Sequence, residues 1–241
     1  MMHYIIAFSI IGLGAFVHAC FWLSVSTLTM MSGHALGKKR SQAQLVRLII
    51  SFLGGSVAMT ALLISISVAA STWLFPTRHV PPVTWAVICG LLLGLGIAAW
   101  LFYFKKGDGA TLWIPRHFAD YLVRRSKRTR HSGEAFGLGL SGAFGELLFT
   151  IGPLTSSGVI ISTHLPAYLQ PVSVVVYTAI AVVPLSFVAM LIGRGVKISR
   201  LQYWREKHKR FLQFLAGSSL VVLALYLYVN EVAIVALHQG L

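Results

Sequence analysis

Apolar residues in this chain do not recur every second or every third to fourth position. They run in six long blocks, at about 4–31, 46–75, 82–104, 135–162, 170–193 and 211–232. Crossing a bilayer as a helix takes about 20 apolar residues, and every block meets that length. The pattern predicts an all-α polytopic membrane protein with six transmembrane helices, and it leaves no stretch for a large soluble domain. The first block is too long for the core of a signal peptide and has no charged segment before it, so it is expected to stay as a span.

Between the blocks, prolines mark two short connections: Pro76, Pro81 and Pro82 in one, Pro166 and Pro171 in the other. Proline ends helices. The longest connection runs from Gly107 to Gly133. Its stretch Pro115–Val123 reads either as a short interfacial helix with basic and aromatic faces or as a solvated linker.

Composition agrees with the blocks. Hydrophobic residues make up 56% of the 241, charged residues 11%, and the mean hydropathy is +0.78. A soluble domain carries about a quarter charged residues, so an ordinary soluble enzyme, a disordered chain and a secreted disulfide scaffold are excluded.

Twenty Lys and Arg against six Asp and Glu give a formal +14. In a soluble protein that balance would suggest nucleic acid. Here nineteen of the twenty basic residues fall in alternate connections, with Arg78 alone in the others. They include Lys38, Lys39, Arg40 and Arg47 in the first, Lys105, Lys106 and Arg116 through Arg130 in the third, and Arg194 through Arg210 in the fifth. The charge is therefore read as topology, with no nucleic-acid partner. Positively charged loops stay inside. Loops one, three and five are expected to be cytoplasmic and both termini outside, which requires an even number of spans. The run Tyr203–Arg210 mixes aromatic and basic side chains before the last span, suited to lipid headgroups.

Two three-span units are visible. The first span contains Gly12-Leu13-Gly14 and the fourth Gly137-Leu138-Gly139. Both then become rich in hydroxyls: Ser24, Ser26, Thr27 and Thr29 against Thr150, Thr155, Ser156 and Ser157. Cys89-Gly90 in the third span parallels Ala216-Gly217 in the sixth. The division is 1–106 for the first unit, 107–131 for a basic linker and 132–241 for the second unit. An odd number of spans per unit makes the second copy enter from the opposite side. Such inverted repeats place binding sites near the midplane where the copies meet.

The first and fourth spans also carry the candidate chemistry. Gly152-Pro153 removes a backbone donor and is expected to break or kink the fourth helix, opening carbonyls to a cavity or serving packing alone. Glu146 lies near the middle of that span, far from the basic loops. A charged carboxylate at that depth costs at least about 2.5 kcal/mol, so it must face a cavity, meet a partner or carry a proton. That makes it a candidate proton carrier or cation ligand, with a hydrogen bond to helix backbone as the structural alternative. His18 has similar depth in the first span and is expected to pair with Glu146, shuttle protons or bind a metal. Ser24, Thr27 and Thr150 are the hydroxyls chosen to line a polar path, although such groups usually bond their own helix.

No G-x-S-x-G, H-E-x-x-H or phosphate-loop motif occurs, and no serine has a fixed base beside it. Transport is favoured over catalysis. Cys20 and Cys89 lie in apolar blocks without a C-x-x-C. No cofactor is expected, and the sequence assigns no metal.

In layout, and in Gly12, Gly14, Cys20, Gly137, Gly139, Gly152 and Pro153, the chain resembles the CcdA/DsbD-like membrane domains of the LysE-type transporter superfamily. The resemblance implies two inverted three-helix repeats with outward termini, in the plasma (inner) membrane. It implies transport of a small molecule or ion through a midplane site between spans one and four. The family's electron carriers use one cysteine in the first span and one in the fourth. Cys20 lies near the first position and the fourth span has none. The alternative function is therefore a transmembrane thiol/disulfide carrier working through Cys20 with a partner thiol. A homodimer or a thiol-bearing protein is the expected protein partner, beside the lipid bilayer and the transported solute.

Overall fold

A computed structural model describes residues 2–21, 23–37, 42–102 and 116–233. Lys38, Lys39, Arg40, Lys105, Lys106 and the division at 106/107 lie outside them. The described chain is helical, with no strand among the described residues. The elements are α1 (Met2–Ala19), α2 (Leu23–Gly37), α3 (Gln42–Leu74), α4 (Pro82–Phe102), α5 (Arg116–Arg128), α6 (Ser132–Gly145), α7 (Leu147–His164), α8 (Gln170–Ala181), α9 (Val183–Gly193), α10 (Ile198–Lys207) and α11 (Lys209–Leu227), closed by a π-helical turn at Tyr228–Ala233.

Five stretches are long and apolar enough to cross a membrane: His3–Gly33, Gln42–Leu74, Pro82–Leu101, Leu147–His164 and Lys209–Ala233. A sixth follows if α8 and α9, bent by 50° against each other, count as one. Large apolar side chains stay exposed along these helices, among them Ile50, Leu62, Ile66, Val87, Phe187 and Val222. Such a belt suits lipid and would be a liability in water. The fold is compatible with a membrane protein.

Three of the predicted spans are discontinuous. The first divides into α1 and α2 at Cys20–Phe21, the fourth into α6 and α7 at Glu146, and the fifth into α8 and α9 at Val182. Pro184 explains the last break. It has no N–H for the Ile180 carbonyl, and proline is tolerated in the first turn of a new helix. The sequence predicts a break or kink of the fourth span at Gly152-Pro153. Pro153 instead sits inside α7, and the interruption lies seven residues earlier, after Gly145. The break after Ala19 has neither proline nor glycine, and its cause is a tertiary contact described below.

The packing brings unlike helices together in pairs. α3 lies along α6 and α7, α1 along α7 and α8, and α4 along α11. Small residues permit the closest approach. At the α3–α6 crossing, a Cβ added to Gly55 would fall on the Phe136 carbonyl, and one added to Gly139 on the Phe52 carbonyl. Ser56 Oγ then donates to the Gly139 carbonyl at 3.2 Å. Gly14, in the matching G-L-G, faces the Ser157 side chain of α7, with the Pro153 carbonyl 3.5 Å from where a Cβ would stand.

The segment left open as helix or linker is a helix from Arg116 onward. Leu122, Ser126 and Thr129 are buried at helical spacing, and α5 packs on α2 and α6. Arg124, Arg125, Lys127 and Arg128 stay exposed. This helix lies against the basic end of the bundle.

Candidate functional site

The three helix breaks meet. Around their meeting point is a cavity of about 20 Å³, lined by His18, Phe21, Ser24, Ser56, Thr60 and Glu146, together with apolar groups that include Val182 and Pro184. Five of these, His18, Ser24, Ser56, Thr60 and Glu146, are polar, yet they lie within an apolar bundle. His18 is 3% exposed and Glu146 is 7% exposed.

Glu146 joins two breaks. It ends α6 and opens α7, and its own carbonyl accepts from Phe149 N at 3.0 Å and Thr150 N at 3.1 Å. Its carboxylate Oε1 accepts from the backbone N–H of Ser24 at 2.7 Å. Ser24 lies in the first turn of α2, whose leading N–H groups have no acceptor within the helix. The carboxylate supplies one and sits at the positive end of the α2 dipole. This contact, 122 residues apart in sequence, accounts for a helix start at Leu23 that nothing local encodes.

The second carboxylate oxygen faces the histidine. Glu146 Oε2 lies 3.8 Å from His18 Nε2, inside ion-pair range and beyond a direct hydrogen bond. The other ring nitrogen, Nδ1, is 3.1 Å from the hydroxyl of Tyr177, which is fully buried in α8. With the tyrosine O–H donating to Nδ1, the ring proton sits on Nε2 and points at the carboxylate. A water needs about 10–15 Å³ of accessible space and two or more polar partners. The cavity has room for one, among His18, Glu146, Ser56 and Thr60. Ser24 Oγ, also buried on this wall, has no hydrogen-bond partner among the described residues.

The arrangement unites some of the expected residues and leaves others aside. His18, Glu146 and Ser24 come together as the sequence suggested. Thr150, Thr27 and Pro153 are buried but do not line the cavity. Thr150 Oγ1 donates to the Glu146 carbonyl at 3.1 Å, in the usual manner of a helix hydroxyl. Tyr177, Ser56 and Thr60 were missed. A tyrosine in mid-block and Pro184 further along the same block were the available signals for the fifth span's contribution.

Cys20 stands beside the first break and is buried. Cys89 is buried in α4 with its Sγ 3.6 Å from the Ala224 carbonyl. Both are free thiols. Among the described residues no three His, Cys, Asp or Glu side chains are grouped to hold a metal ion.

Compared with protein-family models, with curated proteins and with solved structures, the chain finds no match.

Proposed function

We propose that this chain is a six-span membrane transporter whose coupling site is the Glu146–His18 pair. One observation carries the reading: three helix breaks converge on a buried carboxylate. Discontinuous helices that meet at the bilayer centre are how transporters expose backbone and hold ions. An acidic residue at that depth is functional by default, because burial without a task is costly. The cavity is of water size. The species that fits between Glu146, His18 and the serine and threonine hydroxyls is a proton or a small cation, moved alone or coupled to a second solute.

Two inverted repeats are part of this reading. Laying Gly12-Leu13-Gly14 over Gly137-Leu138-Gly139 sets Phe21, at the first break, on Glu146, at the fourth. The packing partners also exchange as an inverted pair requires. This holds for whole spans: the first span against α11 answers the fourth against α4, and α3 against the fourth span answers the fifth against the first. The positive-inside rule puts loops one, three and five on the cytoplasmic side and both termini outside.

The thiol-carrier reading has one point in its favour, the place of Cys20 at a helix break. Against it, the thiol is buried, and Cys89 lies on a different helix with its own carbonyl partner.

The test is a thermal-shift panel on detergent-purified protein with sodium, potassium, magnesium, manganese, zinc, amino acids and small anions. A ligand that binds only the folded state raises the midpoint by mass action. A cation is expected to stabilise wild type and to lose that effect in Glu146→Gln. Shifts of equal size in both proteins, or stabilisation by anions alone, would overturn the assignment.

A further inference from the structure

A second cavity, of about 480 Å³, opens between α2, α9 and α10. Its walls are apolar, formed chiefly by Val25, Phe187, Val188, Leu191 and Leu201. Its polar contribution is concentrated at Arg200, Gln202, Trp204 and Arg205, all on α10. Its size is that of a small-molecule site, and its chemistry is divided into an oily interior and a cationic edge.

Two features fix the kind of occupant. Arg205 is anchored: its Nη1 donates to Ser26 Oγ of α2 at 2.7 Å, which holds the guanidinium at the cavity wall. Arg200 is exposed at the same wall. Two arginines on one cavity suit an anion with several acceptor oxygens. The cavity also borders the outer surface of the bundle, since Phe187 is 55% and Trp204 46% exposed. An aromatic and basic helix at this level marks the headgroup zone. Basic pockets between spans on the positively charged side are suited to anionic lipid heads.

We infer that this cavity is a specific site for an anionic phospholipid, its phosphate on Arg200 and Arg205 and an acyl chain along Phe187, Val188 and Leu191. The inference rests on the membrane reading alone and is independent of transport. The bound lipid would join α10 to α2 and α9, and so would brace the two helices that leave the first and fifth breaks.

Delipidated protein in a neutral detergent would be titrated with phosphatidylglycerol or phosphatidylcholine. Native mass spectrometry would read occupancy, and the thermal midpoint would read stabilisation. Phosphatidylglycerol is expected to bind and stabilise at concentrations where phosphatidylcholine does not. Arg200→Gln and Arg205→Gln should each weaken that binding about tenfold. Arg128→Gln, which removes an exposed charge of α5 outside the cavity, should leave it intact. Should Arg205→Gln fail to fold because the Ser26 contact is lost, Arg200→Gln alone decides. Equal binding of the two lipids, an equal loss in Arg128→Gln, or displacement of the lipid by millimolar inorganic phosphate would each overturn the assignment.

Discussion

Replacing Glu146 separates its structural task from its chemical one. Glu146→Ala removes the acceptor for Ser24 N–H and leaves that buried donor unpaired. Losing a helix cap costs about 0.5–2 kcal/mol, and an unsatisfied buried donor about 1–3 kcal/mol. Both figures describe the same broken bond, so Glu146→Ala is expected to be about 1–3 kcal/mol less stable than a variant that keeps the acceptor. Glu146→Gln keeps a carbonyl oxygen where Oε1 stands and still caps α2. It gives up roughly 1 kcal/mol of charge-assisted bonding. It also removes the cost of holding a carboxylate at the membrane centre, about 2.5 kcal/mol or more. The amide variant should therefore fall within about 2 kcal/mol of wild type, on the stabilising side. The assay is thermal or denaturant unfolding in one detergent, followed by helical signal, for all three proteins side by side. A Glu146→Gln midpoint depressed as far as that of Glu146→Ala would refute the reasoning. The charge itself would then be structural, and a coupling role would have no support from burial.

The two glycines of one motif should behave oppositely: Gly139→Ala drives a Cβ onto the Phe52 carbonyl and should destabilise by about 1–3 kcal/mol, whereas Gly137→Ala meets open space and should be neutral or slightly stabilising by the same unfolding measurement. Glu134 accepts from Arg130 N at 2.6 Å and His131 N at 3.3 Å, bonds that hold its carboxyl below the usual carboxylate range. A depressed folded value contributes stability above the unfolded pKa of about 4.3 and loses it as pH falls through the folded one. Glu134→Gln should thus cost less than about 1 kcal/mol at neutral pH, this carboxylate being exposed and screened, and the gap to wild type should close in acid denaturation series. With Cys20 and Cys89 replaced by alanine, a single cysteine at His79 should react with an impermeant maleimide in intact cells, and one at Lys207 only after permeabilisation. The reverse labelling would invert the orientation.

Much of the fold was legible because bilayer thickness imposes block lengths that composition alone reveals. The blocks at 46–75 and 82–104 reappear as the continuous helices α3 and α4 with small boundary shifts. The breaks were harder to read. Pro153 drew attention as a breaker, yet α7 absorbs it, while the interruption falls at Glu146, where the side chain caps another helix. The α2 start at Leu23 follows from that contact, which no local pattern encodes. His18 and Glu146 could be matched by depth, since acidic, basic and imidazole side chains within the apolar blocks are few. Tyr177 lies within its block, but its partner His18 emerges only from the packing of α8 against α1. Thr27 and Thr150 lie outside the cavity lining, and Thr150 spends its hydroxyl on the Glu146 carbonyl of its own helix.

The central claim is that the carboxylate where the three breaks meet exchanges a proton or small cation across the membrane. The most direct measurement is ion flux in proteoliposomes carrying an internal pH-reporting dye and an imposed pH or cation gradient. Wild type is expected to dissipate the gradient, and Glu146→Gln, inserted to the same extent and at least as stable, is expected to leave it standing. Equal dissipation by the two proteins would contradict the account.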